Sequence, residues 1–171
     1  MNLQTDDFEL FGLARQFAQS RDSIDQRWKA LQREAHPDRF AAQGAAAQRL
    51  ALQWSVRINE AYARLKDPVR RAAYLCELAG AAIQAHSNTA MPAAFLMQQI
   101  TWREALDEAL DMAALERLSQ EVVASKGALL EQVAMLLDGV HDYAAAVDAV
   151  RALMFIEKFA LDLHGRMDSL D

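Results

Sequence analysis

His36, Pro37 and Asp38 place an imidazole and a carboxylate two residues apart, joined by a residue of fixed φ. Such a pair could suggest acid–base work. With Pro37 between them, however, the two groups are neighbours on one turn and do not flank a substrate. The turn is suited instead to presenting an anion and a hydrogen-bonding ring to a partner. The other histidines, His86, His141 and His164, are not spaced from one another, from His36 or from Cys76 as a metal site requires, so no metal or cofactor is expected. The sequence contains no glycine-rich phosphate loop, and no serine or cysteine sits in a nucleophile signature. Cys76 lies in the run Ala73-Tyr-Leu-Cys-Glu-Leu78 and reads as a packed, inert thiol. No enzyme is read here.

The turn needs helices on both sides of it. Ile24, Trp28, Leu31 and Ala35 recur on one helical face, with Ser20 as N-cap and Asp22 in the first turn. Pro37 stops that helix and pushes His36 out of the α region. A short loop, His36–Phe40, is expected to follow. A long helix from about Ala46 to Lys66 comes next, with Leu50, Trp54, Ile58, Ala61, Tyr62 and Leu65 as its apolar positions. Asp67 caps a further helix that opens on Pro68 and runs to Gly80, and a short helix around Phe8–Leu13 precedes them all. Two long helices joined by a short proline loop predict an antiparallel hairpin. Three more helices are expected at about 92–110, 112–138 and 142–167. Leu115, Leu118, Val122, Leu129, Val133 and Leu136 stripe the second of these; Tyr143, Val147, Val150, Met154 and Leu161 stripe the third. This predicts an up-down-up three-helix bundle. The fold class is all-α.

Composition agrees. Of 171 residues, 34 are alanine, three proline and six glycine, which favours long helices and few turns. The net charge of −6 disfavours nucleic acid as the main ligand. No apolar run is long enough to span a membrane, the start lacks a secretory pattern, and the single cysteine excludes an intrachain disulfide, so a cytoplasmic protein is expected. The charge is unevenly spread. Residues 1–80 carry 12 Lys and Arg against 10 Asp and Glu; residues 81–171 carry 6 against 14. Two surfaces with different partners would explain this, and so would a single domain with uneven solvated faces. The expected organisation is 1–80, a linker at 81–91, and 92–171.

The His36-Pro37-Asp38 turn lies between two helices, the first carrying Arg27, Lys29 and Arg33, the second ending in Ile58-Asn-Glu-Ala-Tyr-Ala-Arg-Leu-Lys-Asp-Pro68. This arrangement resembles the J-domain of DnaJ-type co-chaperones, in which the basic helix and HPD loop dock on a DnaK-type chaperone and stimulate its ATPase. The stretches His36–Phe40, Pro68-Val-Arg-Arg-Ala-Ala-Tyr-Leu75 and Ala94-Phe-Leu-Met-Gln-Gln-Ile100, followed by Arg103-Glu-Ala-Leu-Asp-Glu108, are similar to the HscB family, the J-type co-chaperones of bacterial iron–sulfur cluster assembly. The resemblance covers essentially the whole chain. It implies an L-shaped pair of domains, an N-terminal J-domain that engages the chaperone HscA through His36, Pro37, Asp38, Arg27, Lys29, Arg33 and Arg39, and a C-terminal domain that binds the cluster scaffold IscU. Rival readings are a J-domain protein with a different client and a helical adaptor in which the tripeptide is incidental.

The first helix of the second domain carries two rows. Phe95, Trp102, Leu106 and Leu110 lie on one seam; Leu96, Ile100, Glu104 and Glu108 lie about 100° further round. From periodicity alone the second row is either a widened core stripe or an interface grading from apolar to charged. The family resemblance implies a scaffold-binding patch of Leu96, Met97, Ile100, Glu104, Glu108 and Phe155, with Thr101 standing where the best-known relatives have an acidic residue. A monomer is expected, since that row has a proposed partner.

Overall fold

A computed structural model describes residues 2–83 and 91–170, and no strand occurs among them. The helices are α1 (Asp7–Phe11), α2 (Arg21–Glu34), α3 (Ala45–Lys66), α4 (Pro68–Leu78), α5 (Ala93–Glu108), α6 (Met112–Ala134) and α7 (Tyr143–Asp168). No helix among the described residues is long and apolar enough to cross a membrane. The chain divides into two compact units, Met1–Leu75 and Cys76–Asp171, so the division falls within α4. Of the expected linker, residues 84–90 lie outside the described residues.

In the first unit α2 and α3 form the expected antiparallel hairpin, with Ile24 and Leu31 buried on one helix and Ile58, Ala61 and Leu65 on the other. The solvent edge of this seam is polar. The Asn59 side-chain oxygen accepts from Trp28 Nε1 at 2.9 Å and from Gln32 Nε2 at 2.7 Å. Further along, Trp28 stacks on Tyr62, whose hydroxyl donates to Asp25 at 2.9 Å. Short α1 is closed by Gly12 in the left-handed region, φ 63°. It is tied down by Asp7, fully buried, whose carboxylate pairs with Arg57 at 2.6 Å and Arg64 at 3.3 Å. A buried carboxylate persists only when paired. Helix α4 starts at Pro68 behind the Asp67 cap, whose side chain accepts from the Arg70 amide. Its last residue is Leu78, and Gly80, the C′ residue that the sequence suggests, lies beyond it at φ 82° and closes the end.

In the second unit α5, α6 and α7 make the bundle. Trp102 of α5 stacks on Phe159 of α7 at 5.5 Å, above a core that includes Leu115, Leu118, Val122 and Leu163. Burying a side chain of that size stabilises the fold by about 2–3 kcal/mol. Ion pairs on the rim, Arg103–Asp162 at 2.7 Å and Lys126–Glu157 at 3.0 Å, join α7 to both other helices. Buried Arg151 donates from Nε to the carbonyl of Ile83 at 2.8 Å and so holds the segment after α4 against α7. Cys76 is buried, and desolvation pushes its thiol up to about 11, which keeps it protonated and unreactive.

Four details differ from the sequence reading. The expected loop after His36 is a 3₁₀ helix, Pro37–Gln43, with Pro37 at its first position, where the missing amide has no intrahelical acceptor to serve. Leu110 is not on the core seam: α5 ends at Glu108, and Leu110 is 91 % exposed while Ala109 is buried. Helix α6 ends at Ala134 and continues as a π-helical turn, Met135–Gly139, which puts Leu137 inside and leaves Leu136 half-buried. Leu161 is 73 % exposed. The first half of α7 is buried on nearly every side, whereas the second half is buried only along Ile156, Phe159 and Leu163.

Candidate functional site

The HPD turn is built from the C-terminus of α2 outward. Ala35 caps the helix, its amide still bonded to the Leu31 carbonyl at 3.0 Å. His36 is then extended, at φ −62° and ψ 125°, as a residue before proline must be. The Asp38 amide donates to His36 Nδ1 at 3.3 Å, which assigns the imidazole proton to Nε2. The Asp38 carboxylate lies 3.6 Å from the same ring nitrogen, and its side chain is 92 % exposed. The ring and the carboxylate therefore form one exposed pair, with Pro37 holding them at a fixed separation. Asp38 makes no pair with an arginine or lysine among the described residues, so its charge is available to a cationic partner.

The basic residues of α2 fall into two groups. Lys29 and Arg33 are exposed, and neither side chain makes a salt bridge or hydrogen bond among the described residues. Arg27, also exposed, is tied to the fold: its Nε donates to the Phe11 carbonyl at 2.7 Å, at the end of α1. Arg39 is likewise engaged, donating from Nη1 to the Arg33 carbonyl at 3.2 Å. Only part of the expected cationic face is thus free of an internal role. An apolar cleft of about 320 Å³ lies beside the 3₁₀ helix, between Phe40, Leu50, Ala51 and Trp54.

In the second unit the patch residues of α5 lie exposed on one side of that helix, and Phe155 of α7 is exposed as well. Leu96, Ile100 and Met97 are exposed, Met97 by 65 %, while Trp102 and Leu106 of the neighbouring row are buried. The two rows of α5 are therefore separated as core and surface. Phe155 of α7 is half exposed and meets half-buried Phe95 edge-on, ring centroids 6.2 Å apart, which sets it beside the α5 row. Glu104 and Glu108 continue the row as exposed carboxylates. The Thr101 hydroxyl turns back and donates to the Met97 carbonyl at 3.1 Å. The described residues contain no group of His, Cys, Asp and Glu placed to hold a metal ion.

Sequence reasoning missed the polar side chains of α3, Ser55 and Asn59, that face α2 near the turn. Their one signal was a spacing of four residues, which any solvated face also shows.

Comparison with known proteins matches these two halves to one family. The sequence model described as the HSCB C-terminal oligomerisation domain matches residues 91–164. The Co-chaperone protein HscB homolog of Bordetella petrii is 50 % identical over 159 residues, 92 % of this chain and 94 % of that protein. The homolog of Burkholderia multivorans is 45 % identical over 174 residues, 100 % of this chain and 99 % of its own. Among solved structures, the chaperone HscB from Vibrio cholerae superposes with a TM-score of 0.85 at 34 % identity, covering 98 % of this chain and 100 % of that one. The human co-chaperone protein HscB, at 24 % identity, shares the fold with a TM-score of 0.93 over 99 % of this chain and 86 % of that one. With an HPD turn in a helical hairpin and a C-terminal three-helix bundle, the chain belongs to the HscB family of co-chaperones, its first unit a J-domain.

Proposed function

We propose that this co-chaperone serves iron–sulfur protein maturation in the cytoplasm, capturing an IscU-type cluster scaffold and delivering it to an HscA-type chaperone whose ATPase it stimulates. The chain performs no chemistry of its own. The observation that carries the reading is the HPD turn itself: an exposed carboxylate and imidazole, fixed by Pro37, at the end of a helix with two free cations. Asp38 accepts a charge-assisted bond from a chaperone arginine, an interaction about twice as strong as a neutral hydrogen bond. His36 contributes its Nε2 proton. Lys29 and Arg33 steer an acidic partner surface into register. Arg27 and Arg39 support the same face chiefly through the internal bonds they make.

The α5 row and Phe155 hold the scaffold. Leu96, Met97, Ile100 and Phe155 form an apolar centre and Glu104 and Glu108 a charged rim, the usual anatomy of a specific interface. Carrying both surfaces on one chain raises the scaffold's effective concentration at the chaperone. The deciding experiment is single-turnover and steady-state ATP hydrolysis by the HscA-type chaperone with wild-type protein and with Asp38→Asn, with and without scaffold. The isosteric change is expected to abolish stimulation while the fold, followed by circular dichroism, stays intact. Undiminished stimulation would overturn the reading.

A further inference from the structure

A helix that stops at a proline leaves carbonyls unserved, and here they flank the HPD turn. The Arg33 carbonyl would ordinarily accept from the amide four residues on, but that residue is Pro37, which has none. The Ala35 carbonyl would accept from the Arg39 amide, but in the 3₁₀ geometry that amide donates to the His36 carbonyl at 3.0 Å. Two side chains take the vacant places. Arg39 Nη1 serves the Arg33 carbonyl at 3.2 Å, and the Ser55 hydroxyl, from α3, serves the Ala35 carbonyl at 3.3 Å. Ser55 is itself fixed from the opposite helix: Gln32 Nε2 approaches its carbonyl at 3.4 Å and bonds Asn59 at 2.7 Å. The peptide immediately before His36 is therefore tied to α3 through one hydroxyl.

We propose that Ser55 is a positioning residue for the HPD turn. It touches no partner. It holds the Ala35–His36 peptide in the orientation from which His36 and Asp38 project, and so raises the fraction of the free protein that displays the binding-competent turn. Without the hydroxyl the turn samples other orientations, and only a fraction of molecules is competent at any moment. Apparent affinity falls by that fraction, whereas a partner that has bound still meets the same two side chains. This inference rests on the proposed triggering role of the turn.

The test uses the full-length protein, titrated into the HscA-type chaperone while ATP hydrolysis is followed. Ser55→Ala is expected to raise the half-saturating concentration about threefold to tenfold, the range for one lost hydrogen bond. The plateau should stay at the wild-type level, and Ser55→Thr, which keeps the hydroxyl, should restore the wild-type midpoint. Amide exchange at Asp38 and Arg39 in the free protein should accelerate in Ser55→Ala, a local readout that does not depend on the chaperone. A midpoint shift below threefold, or a loss of plateau with an unchanged midpoint, would overturn the proposal. So would unaltered amide exchange. Asp38→Asn run in parallel separates the two readings. If Asp38→Asn stimulates normally, the triggering role fails; if it is inactive while Ser55→Ala behaves as wild type, only the positioning role fails.

Discussion

On the proposed reading, the two units solve recognition in different ways. The J-domain offers a turn of three residues whose value lies in orientation: His36 and Asp38 would act through directed bonds, and the helix end beneath them is stitched by Arg39 and Ser55. The C-terminal bundle offers a helix row whose value lies in area, with Leu96, Met97, Ile100 and Phe155 exposed beside a core in which Trp102 and Leu106 are buried. Directed bonds lose most of their worth with a small change in geometry or charge. Apolar area is non-directional and tolerates exchange between side chains of similar volume. Conservative substitutions should therefore be severe in the first unit and mild in the second.

The largest effect that could break this contrast is Asp38→Asn, which preserves shape and removes one charge. Stimulation of the chaperone ATPase should fall at least about tenfold, the loss of one charged hydrogen bond, with scaffold capture in a pull-down unchanged. Next is Leu96→Ala combined with Phe155→Ala. Truncating two central apolar contacts at about 1–2 kcal/mol each should raise the Kd for scaffold by about 100-fold in calorimetry. Scaffold-free stimulation should be unaffected, and Leu96→Met alone should change Kd by less than about threefold.

A smaller effect concerns the cations. Lys29→Ala and Arg33→Ala should each raise the half-saturating concentration several-fold at low ionic strength and leave the melting temperature unchanged, with the difference vanishing in high salt. Arg27→Ala should instead lower the melting temperature, because it removes the bond to the Phe11 carbonyl. The smallest effect is on acid stability. The Tyr62 hydroxyl, foremost, and the Arg21 guanidinium hold the Asp25 carboxyl below its ordinary value. A depressed carboxyl stabilises the fold above its unfolded pKa, and that contribution fades as pH falls through the folded value. Melting temperatures of wild type and Asp25→Asn should thus differ at pH 6 and converge as the pH drops below about 4.

Much of this was legible in the amino-acid sequence, for identifiable reasons. The hairpin followed from the 3.6-residue recurrence of Ile24, Leu31, Ile58 and Leu65, all of them buried. The HPD turn was legible because proline leaves few conformations to its neighbours. Periodicity alone leaves the α5 row open, and only the family resemblance points to an interface: the spacing places Leu96 and Ile100 about 100° from the core seam, and packing shows that the bundle leaves them outside. Leu110 and Leu161 misled because a stripe was continued beyond the point where another element covers it. Ser55 was illegible, since its partner is a carbonyl, and no pattern of side-chain types reveals an orphaned backbone acceptor.

The bond from the Thr101 hydroxyl to the Met97 carbonyl settles what the surface offers between hydrocarbon and carboxylate. With its one proton engaged by its own helix, the Thr101 hydroxyl offers a partner only an acceptor at the step from Ile100 to Glu104. On the proposed reading, encounter and residence are then governed by separate stretches of one helix: the carboxylates set how fast a scaffold arrives, and the hydrocarbon sets how long it stays. Ionic strength would tune arrival alone, leaving the lifetime of the captured complex nearly constant.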